Sequence, residues 1–235
     1  MKLKLVNKKE ETPGVISFYF ASEIPINWTA GQFLYYEISD PKPDDRLTRR
    51  YFSISSAPFE KLIRLTTKFV PGDGSTFKKD LLNLKIGDLV EARGPSGDFI
   101  LEDTNEQSSP TDKDYVFIAG GIGITPFHSI ILDLNYKNLP INITLLYANR
   151  DQNILFKNDL EGIAKSHPEF KIYYVLDPQR IDANIIKQYI PDILKPIYYV
   201  SGPEPMVEAM EKIVYEMGVP KEQVKRDYFP GYTWP

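Results

Sequence analysis

The stretch Tyr115-Val-Phe-Ile-Ala-Gly-Gly-Ile-Gly-Ile-Thr-Pro126 joins an apolar run to a glycine-rich turn and then to the start of a helix. Five strand-forming residues precede Gly120, Gly121 and Gly123, which let the backbone turn tightly and approach a ligand closely. Thr125 is read as an N-cap and Pro126 as a first-turn residue that needs no amide hydrogen. A strand–turn–helix of this kind aims free N–H groups and the positive end of a helix dipole at an anion, typically a nucleotide pyrophosphate. The order is G-x-G-x-x-P, with proline where the usual dinucleotide fingerprint has its third glycine. Alone, the segment serves equally as a buried strand feeding a buried helix. What flanks it separates the two readings.

Downstream, apolar runs at 115–119, 141–147, 171–176 and 197–200 alternate with helical stretches after Pro126, Phe156, Asp182 and Pro203. That alternation predicts a doubly wound parallel sheet. Upstream, short strands are expected at 15–20, 33–38, 51–54, 62–70 and 89–93, with one short helix over 76–82. Turn clusters such as Pro41-Lys-Pro-Asp-Asp45 and Pro71-Gly-Asp-Gly74 divide them. Residues 1–11 alternate charged and apolar side chains like a first strand and unlike a signal peptide. Many short strands with one helix predict an antiparallel β-barrel. The polar stretch 102–113 reads as a linker. The expected domains are therefore a β-barrel over 1–105 and an α/β domain over 113–235.

The 235 residues can form one large domain or two of ordinary size, and 42% hydrophobic with 26% charged content is that of a soluble globular protein. A net charge of −4 argues against nucleic acid or an anionic membrane as the main partner. The sequence contains no cysteine, which excludes thiol nucleophiles, thiolate zinc sites and Cys₄ iron–sulfur clusters within it. The two histidines, His128 and His167, lie far apart, so no metal site is expected. Each is read as a surface or boundary residue. The most apolar stretch, 116–132, is broken by glycines, Pro126 and His128, and reads as a strand plus a helix, not as a membrane span. A cytoplasmic location without membrane insertion is expected.

A second segment, Arg49-Arg-Tyr-Phe-Ser-Ile-Ser-Ser-Ala-Pro58, carries chemistry. On a strand, Arg50 and Phe52 point to one face and Tyr51 and Ser53 to the other. A cation and an aromatic on one face can hold a phosphate and stack on a flat ring, or can be a surface arginine beside ordinary aromatic packing. The segment resembles the flavin-binding motif R-x-[YF]-S-[IL]-A-S-x-P of the ferredoxin–NADP⁺ reductase family. The G-x-G-x-x-P segment resembles that family's nicotinamide-nucleotide motif. Gly31-Gln-Phe33 is similar to its A-G-Q-F, Gly94-Pro-Ser-Gly-Asp-Phe99 to its G-P-x-G-x-F, and Ser201-Gly-Pro-Glu-Pro-Met206 to its C-G-P-x-x-M. The ending Asp227-Tyr-Phe-Pro-Gly-Tyr232 is similar to its terminal acidic-aromatic segment. The six motifs stand in the family's order.

The resemblance implies roles. Arg50 binds the flavin pyrophosphate, Phe52 lies against the flavin, and Ser53 bonds near N5, where hydride arrives. Tyr51 belongs to the same motif. The segment from Thr67 and Lys68 through Gly74, Ser75, Thr76 and Phe77 lines the ring and presents a helix start to the phosphates, which favours FAD over FMN. Ser75 is a fair N-cap for that helix, although a hairpin turn and short helix need no ligand. Phe229, among the terminal aromatics Tyr228, Phe229, Tyr232 and Trp234, covers the flavin face or packs the last strand. Gly121, Gly123, Thr125, Pro126, Gly202, Pro203 and Met206 contact NAD(P)H. Ser201 stands beside the nicotinamide where the family often has cysteine; otherwise it is a small buried residue at a strand end. With Ser53 it makes the catalytic pair.

Arg150 and Asp151 follow the second strand of the α/β domain. A carboxylate there favours NADH and an arginine NADPH, and the balance leans to NADPH through Arg150. The resemblance implies an FAD-dependent NAD(P)H oxidoreductase that passes electrons to an external acceptor such as a ferredoxin, a flavodoxin or an oxygenase component. Two alternatives stay open: the diaphorase subunit of a larger complex, and a non-catalytic flavin- or nucleotide-sensing module.

Overall fold

A computed structural model describes residues 1–38, 48–69, 75–101 and 113–229. The expected turns at 41–45 and 71–74 and nearly all of the expected linker lie outside these residues.

The first half forms a six-stranded antiparallel sheet from β1 (Lys2–Thr12), β2 (Val15–Ser22), β3 (Phe33–Glu37), β4 (Arg49–Ser53), β5 (Ile63–Lys68) and β6 (Leu89–Ser96). The strands lie in the order β4-β3-β6-β1-β2-β5. The two ends of that order meet through an antiparallel bridge between Ile54 and Leu65, and the Ser55 amide donates to the Arg64 carbonyl at 2.8 Å. The sheet thus curls toward a barrel, as the strand pattern predicts. Leu3, Leu5, Phe18, Phe20, Leu34 and Leu65 fill its interior, and Leu3 with Leu5 and Phe18 with Phe20 are spaced two apart on one face of their strands. Helix α1 (Thr76–Asn83) adds Phe77 and Leu81 to the same core.

The second half is a five-stranded parallel sheet of β7 (Tyr115–Gly120), β8 (Ile143–Asn149), β9 (Lys171–Leu176), β10 (Ile197–Pro203) and β11 (Val224–Phe229), in the order β11-β10-β7-β8-β9. Central β7 is buried along its whole length, which is why its sequence is a continuous apolar run. Its odd residues Tyr115, Phe117 and Ala119 pack with α2 (Ile124–Tyr136) and α3 (Lys157–Ser166). Its even residues Val116 and Ile118 pack with α4 (Ala183–Tyr189) and α5 (Glu204–Glu216). This is the doubly wound arrangement. The α2 core also takes in Val15 of β2 with Ala30 and Phe99 from the connections of the first half, so one apolar cluster binds the two halves together.

Two expectations are corrected here. Thr125 is not the N-cap of α2. A 3₁₀ turn over Gly121–Gly123 already carries the chain into helical geometry, so α2 begins at Ile124, and the Thr125 hydroxyl donates to the Ile122 carbonyl at 3.1 Å. Pro126 still lies in the first turn, where an amide is not required. His128 is not a surface or boundary residue but is fully buried, because its face of α2 is wedged between the first sheet and α3. The sequence reading also stops at β10, whereas β11 adds an edge strand beside it.

Candidate active site

Side chains alternate along β4, so Arg50 and Phe52 face inward, opposite Tyr36 and Leu34 of β3. Phe77 of α1 stacks on Phe52 with ring centroids 5.8 Å apart, and the Arg50 guanidinium lies 5.7 Å from the Phe77 centroid. Ser75 caps α1, its hydroxyl accepting from the Lys78 amide at 3.3 Å. The Lys78 ammonium donates to the Lys68 carbonyl at 2.8 Å, tying the end of β5 to α1, and Thr67 is buried in β5. The fold therefore collects Arg50, Phe52, Thr67, Lys68, Ser75, Thr76 and Phe77 at one end of the barrel. Gly74 lies outside the described residues.

The other face of β4 looks to the second sheet. The Tyr51 hydroxyl donates to the Tyr228 carbonyl at 3.1 Å, and its ring packs against Phe33 at 5.4 Å. Burial, helped by the nearby Asp227 charge, pushes the Tyr51 hydroxyl up to about 12, so it stays a donor. Ser53 is buried, and its hydroxyl donates to Asp227 Oδ2 at 3.4 Å. Burial pushes the Asp227 carboxyl up to about 6, against the pull of the Ser53 hydrogen bond. Asp227 is in register with Ser201 of β10, so the two side chains share a face. Ser201 is fully buried, and its hydroxyl has no hydrogen-bond partner among the described residues.

The turn after β7 presses on this point. A Cβ at Gly123 would lie 2.2 Å from the Ser201 carbonyl oxygen, so only glycine fits. Gly121 has φ +51° with open space where a side chain would stand. Gly202 and Pro203 end β10 beside it. Met206 stands behind the turn at the start of α5. It is buried, and a Cβ at Gly120 would run into its sulfur, 2.2 Å away. Arg150 is exposed just past β8, and the Asp151 carboxylate accepts from the Asn153 amide at 2.7 Å. Phe229 ends β11, in register with Pro203.

Asp227 is the site residue that the sequence reading missed. Its segment is the acidic-aromatic ending of the resemblance, but nothing local shows that the carboxyl meets Ser53, 174 residues away.

The residues fit a flavin and a nicotinamide. An arginine over an aromatic pair beside a capped helix start suits a phosphate and a flat ring. A buried hydroxyl lacking a partner, next to a carboxyl held partly protonated, suits a polar ring edge. These residues would hold FAD, which would supply a ring able to accept a hydride from a nicotinamide. For such groups the chain would offer a cation at Arg50, buried hydroxyls at Ser53 and Ser201, and a carboxyl at Asp227 whose proton affinity burial raises.

Fold and site together define an oxidoreductase that binds a flavin and a nicotinamide nucleotide. Family models for an oxidoreductase FAD-binding domain and an oxidoreductase NAD-binding domain match residues 2–100 and 117–212. NADH-cytochrome b5 reductase 1 of Mortierella alpina is 30% identical over 94% of this chain and 76% of its own length. A flavohemoprotein of Burkholderia sp. (strain TH2) is 26% identical over 96% of this chain but only 58% of its own length. Among solved structures, an Amycolatopsis cytochrome P450 reductase aligns with a TM-score of 0.82 at 24% identity, covering 97% of this chain and 70% of that one. The cytochrome b5 reductase domain of Ulva prolifera nitrate reductase aligns at 0.79 with 26% identity and 96% coverage of each. The chain belongs to the ferredoxin–NADP⁺ reductase family and is an FAD-dependent NAD(P)H oxidoreductase. Among the described residues, no helix is long and apolar enough to cross a membrane, and no cluster of His, Asp and Glu has the makings of a metal site.

Proposed function

We propose that the chain passes electrons from NAD(P)H, through FAD, to a separate one-electron acceptor protein of the ferredoxin, flavodoxin, haem or oxygenase-component kind. The FAD site is assigned to 1–105, with Arg50, Phe52, Thr67, Lys68 and the helix start at Ser75 as its contacts. The nucleotide site is assigned to 113–235, with Gly121, Gly123, Arg150, Gly202 and Pro203. Ser53, Asp227 and Ser201 are assigned to the point where hydride crosses. Dependence on NAD(P)H is the reason for proposing a cytoplasmic location.

The observation that carries this reading is the convergence of Ser53 from β4 with Asp227 and Ser201 from β11 and β10, at the open end of the G-x-G-x-x-P turn. These 235 residues hold no cysteine for a thiolate-ligated cluster, so the acceptor is a centre outside them. An acceptor on another protein is inferred from the relative named for cytochrome b5. The test mixes purified, FAD-loaded protein with NADH or NADPH and follows bleaching of the flavin, then adds ferricyanide and, separately, a ferredoxin and a cytochrome b5. Flavin bleaching by a nicotinamide with electron flow to at least one protein acceptor is expected. A flavin that neither nucleotide reduces would favour the sensing module instead.

A further inference from the structure

The buried His128 stands between the two half-sites. Its Nδ1 is 2.8 Å from the Ser55 carbonyl, and its Nε2 is 3.1 Å from Asp159 Oδ2 of α3. The ring stacks on Phe156 with centroids 3.8 Å apart. Arg64 of β5 stands alongside, with one guanidinium nitrogen 3.2 Å from Nδ1 and 3.1 Å from the same Ser55 carbonyl, and pairs with Glu60 at 3.5 Å. Next in sequence, the Ser129 hydroxyl donates to the Ser56 carbonyl at 2.7 Å. Two successive residues of α2 therefore bond two successive carbonyls beyond β4.

Nε2 faces the Asp159 carboxylate, and Nδ1 faces the Ser55 carbonyl at 2.8 Å with the Arg64 guanidinium, itself a donor to that carbonyl, 3.2 Å to its side. A 2.8 Å approach of Nδ1 to a carbonyl is attractive only if Nδ1 carries a proton, since two acceptors at that distance repel. Asp159 holds the ring from the other side and fixes its orientation. Burial, with the Arg64 charge, draws the proton affinity of His128 down, while the Asp159 hydrogen bond and the Ser55 carbonyl hold it up.

We propose that His128 is a positioning residue for hydride delivery, its Nδ1–H bond to Ser55 fixing the turn that receives the nicotinamide nucleotide against the strand end that carries Ser53. The inference rests on the function proposed above. The lever is short: His128 is three residues from Thr125, and Ser55 is two from Ser53. A slip at this link moves hydride donor against acceptor while each binding half-site stays whole. Misplacement by about 1 Å costs on the order of a hundredfold in rate.

The test uses the FAD-loaded full chain with His128→Leu, which keeps an apolar body on Phe156 but loses both N–H groups, and Asp159→Asn, at a half-exposed partner. Stopped-flow reduction over a range of NADH and NADPH concentrations separates the limiting rate from nucleotide affinity. His128→Leu should lower the limiting rate by about tenfold or more, with nucleotide and FAD dissociation constants nearly unchanged. Asp159→Asn should lower it less, through the same ring. ¹⁵N spectra of histidine-labelled protein give a readout without turnover: only two histidines contribute, and His167→Gln assigns them. The Nδ1 of His128 should carry a proton in the parent. An unchanged limiting rate in folded, flavin-loaded His128→Leu overturns the proposal, as does an Nδ1 without a proton from about pH 5 to 8. If His128→Leu does not fold, an unchanged rate in Asp159→Asn overturns it. A parent that neither nucleotide reduces sinks the proposed function instead, and the spectra still report on the Ser55 bond.

Discussion

Ser53 of β4 and Asp227 of β11 meet across the junction of the two sheets, the hydroxyl donating to the carboxylate at 3.4 Å. This contact brings the strand assigned to the flavin against the strand edge assigned to the nicotinamide. It also buries a carboxyl, and burial has a measurable consequence.

The folded protein holds the Asp227 proton up to about 6, against an ordinary value of 3.8. Over that interval the native state binds more protons than the unfolded chain, so this group's contribution to stability falls as pH rises from about 4 to about 6 and stays lost above. Asp227→Asn should remove that limb. Its melting temperature should match the parent near pH 4 and exceed it at neutral pH. Thermal melts of both proteins across this range provide the check, because lowered carboxyls elsewhere, such as Asp159, contribute alike to both. Parallel curves would mean that Asp227 is hydrated when ionised.

Arg50→Ala should release FAD without unfolding the barrel. The guanidinium lies over the Phe77 ring, on the rim of a core that Leu34, Leu65 and Phe18 fill without it. A charge-assisted contact to phosphate is worth about 1.5–3 kcal/mol, or roughly ten- to over a hundredfold in affinity. Fluorescence titration of apoprotein with FAD should show that loss, with the apoprotein melting point moved little. Equal affinity in the variant would remove Arg50 from the phosphate site.

Gly121→Ala and Gly123→Ala should differ, although both change one glycine of one turn. At Gly121 there is open space, and the cost is the left-handed backbone, about 1–2 kcal/mol. At Gly123 the new methyl meets the Ser201 carbonyl oxygen, a backbone atom that cannot swing aside. The turn must lift off β10, so nicotinamide affinity should fall sharply while FAD stays bound. Titration of oxidised protein with NAD⁺ and NADP⁺, followed by the flavin spectrum, separates the two variants.

What the sequence made legible follows from how locally each feature is encoded. β7 reads clearly because both its faces are buried and its glycines follow at once. The two faces of β4 read clearly because alternation along five residues needs no distant partner. β11 does not, since Val224-Lys-Arg-Asp-Tyr-Phe229 is a charged edge strand with a neighbour on one side only. His128 was misplaced for a related reason. One histidine in an apolar helix looks like a boundary residue, and its partners Ser55, Arg64 and Asp159 lie 73, 64 and 31 residues away. Thr125 fits the N-cap pattern, but a preceding 3₁₀ turn moved the helix start.

Choice of nicotinamide turns on Arg150. Asp151 beside it spends its carboxylate on the Asn153 amide, in a turn that closes within three residues. A carboxylate held that way is less able to bond a ribose hydroxyl, and Arg150 is exposed at the end of β8, where an arginine suits a 2′-phosphate. The relative in Mortierella alpina is nevertheless named for NADH. Arg150→Gln resolves the two. If Arg150 holds a 2′-phosphate, its loss should lower kcat/KM for NADPH by roughly ten- to a hundredfold, as expected for a charge-assisted bond, and leave NADH nearly unchanged. Steady-state rates with ferricyanide as acceptor, over a range of each nucleotide, measure both. An equal effect on the two nucleotides, or none on either, would show that Arg150 does not read the ribose and would return the choice of donor to NADH.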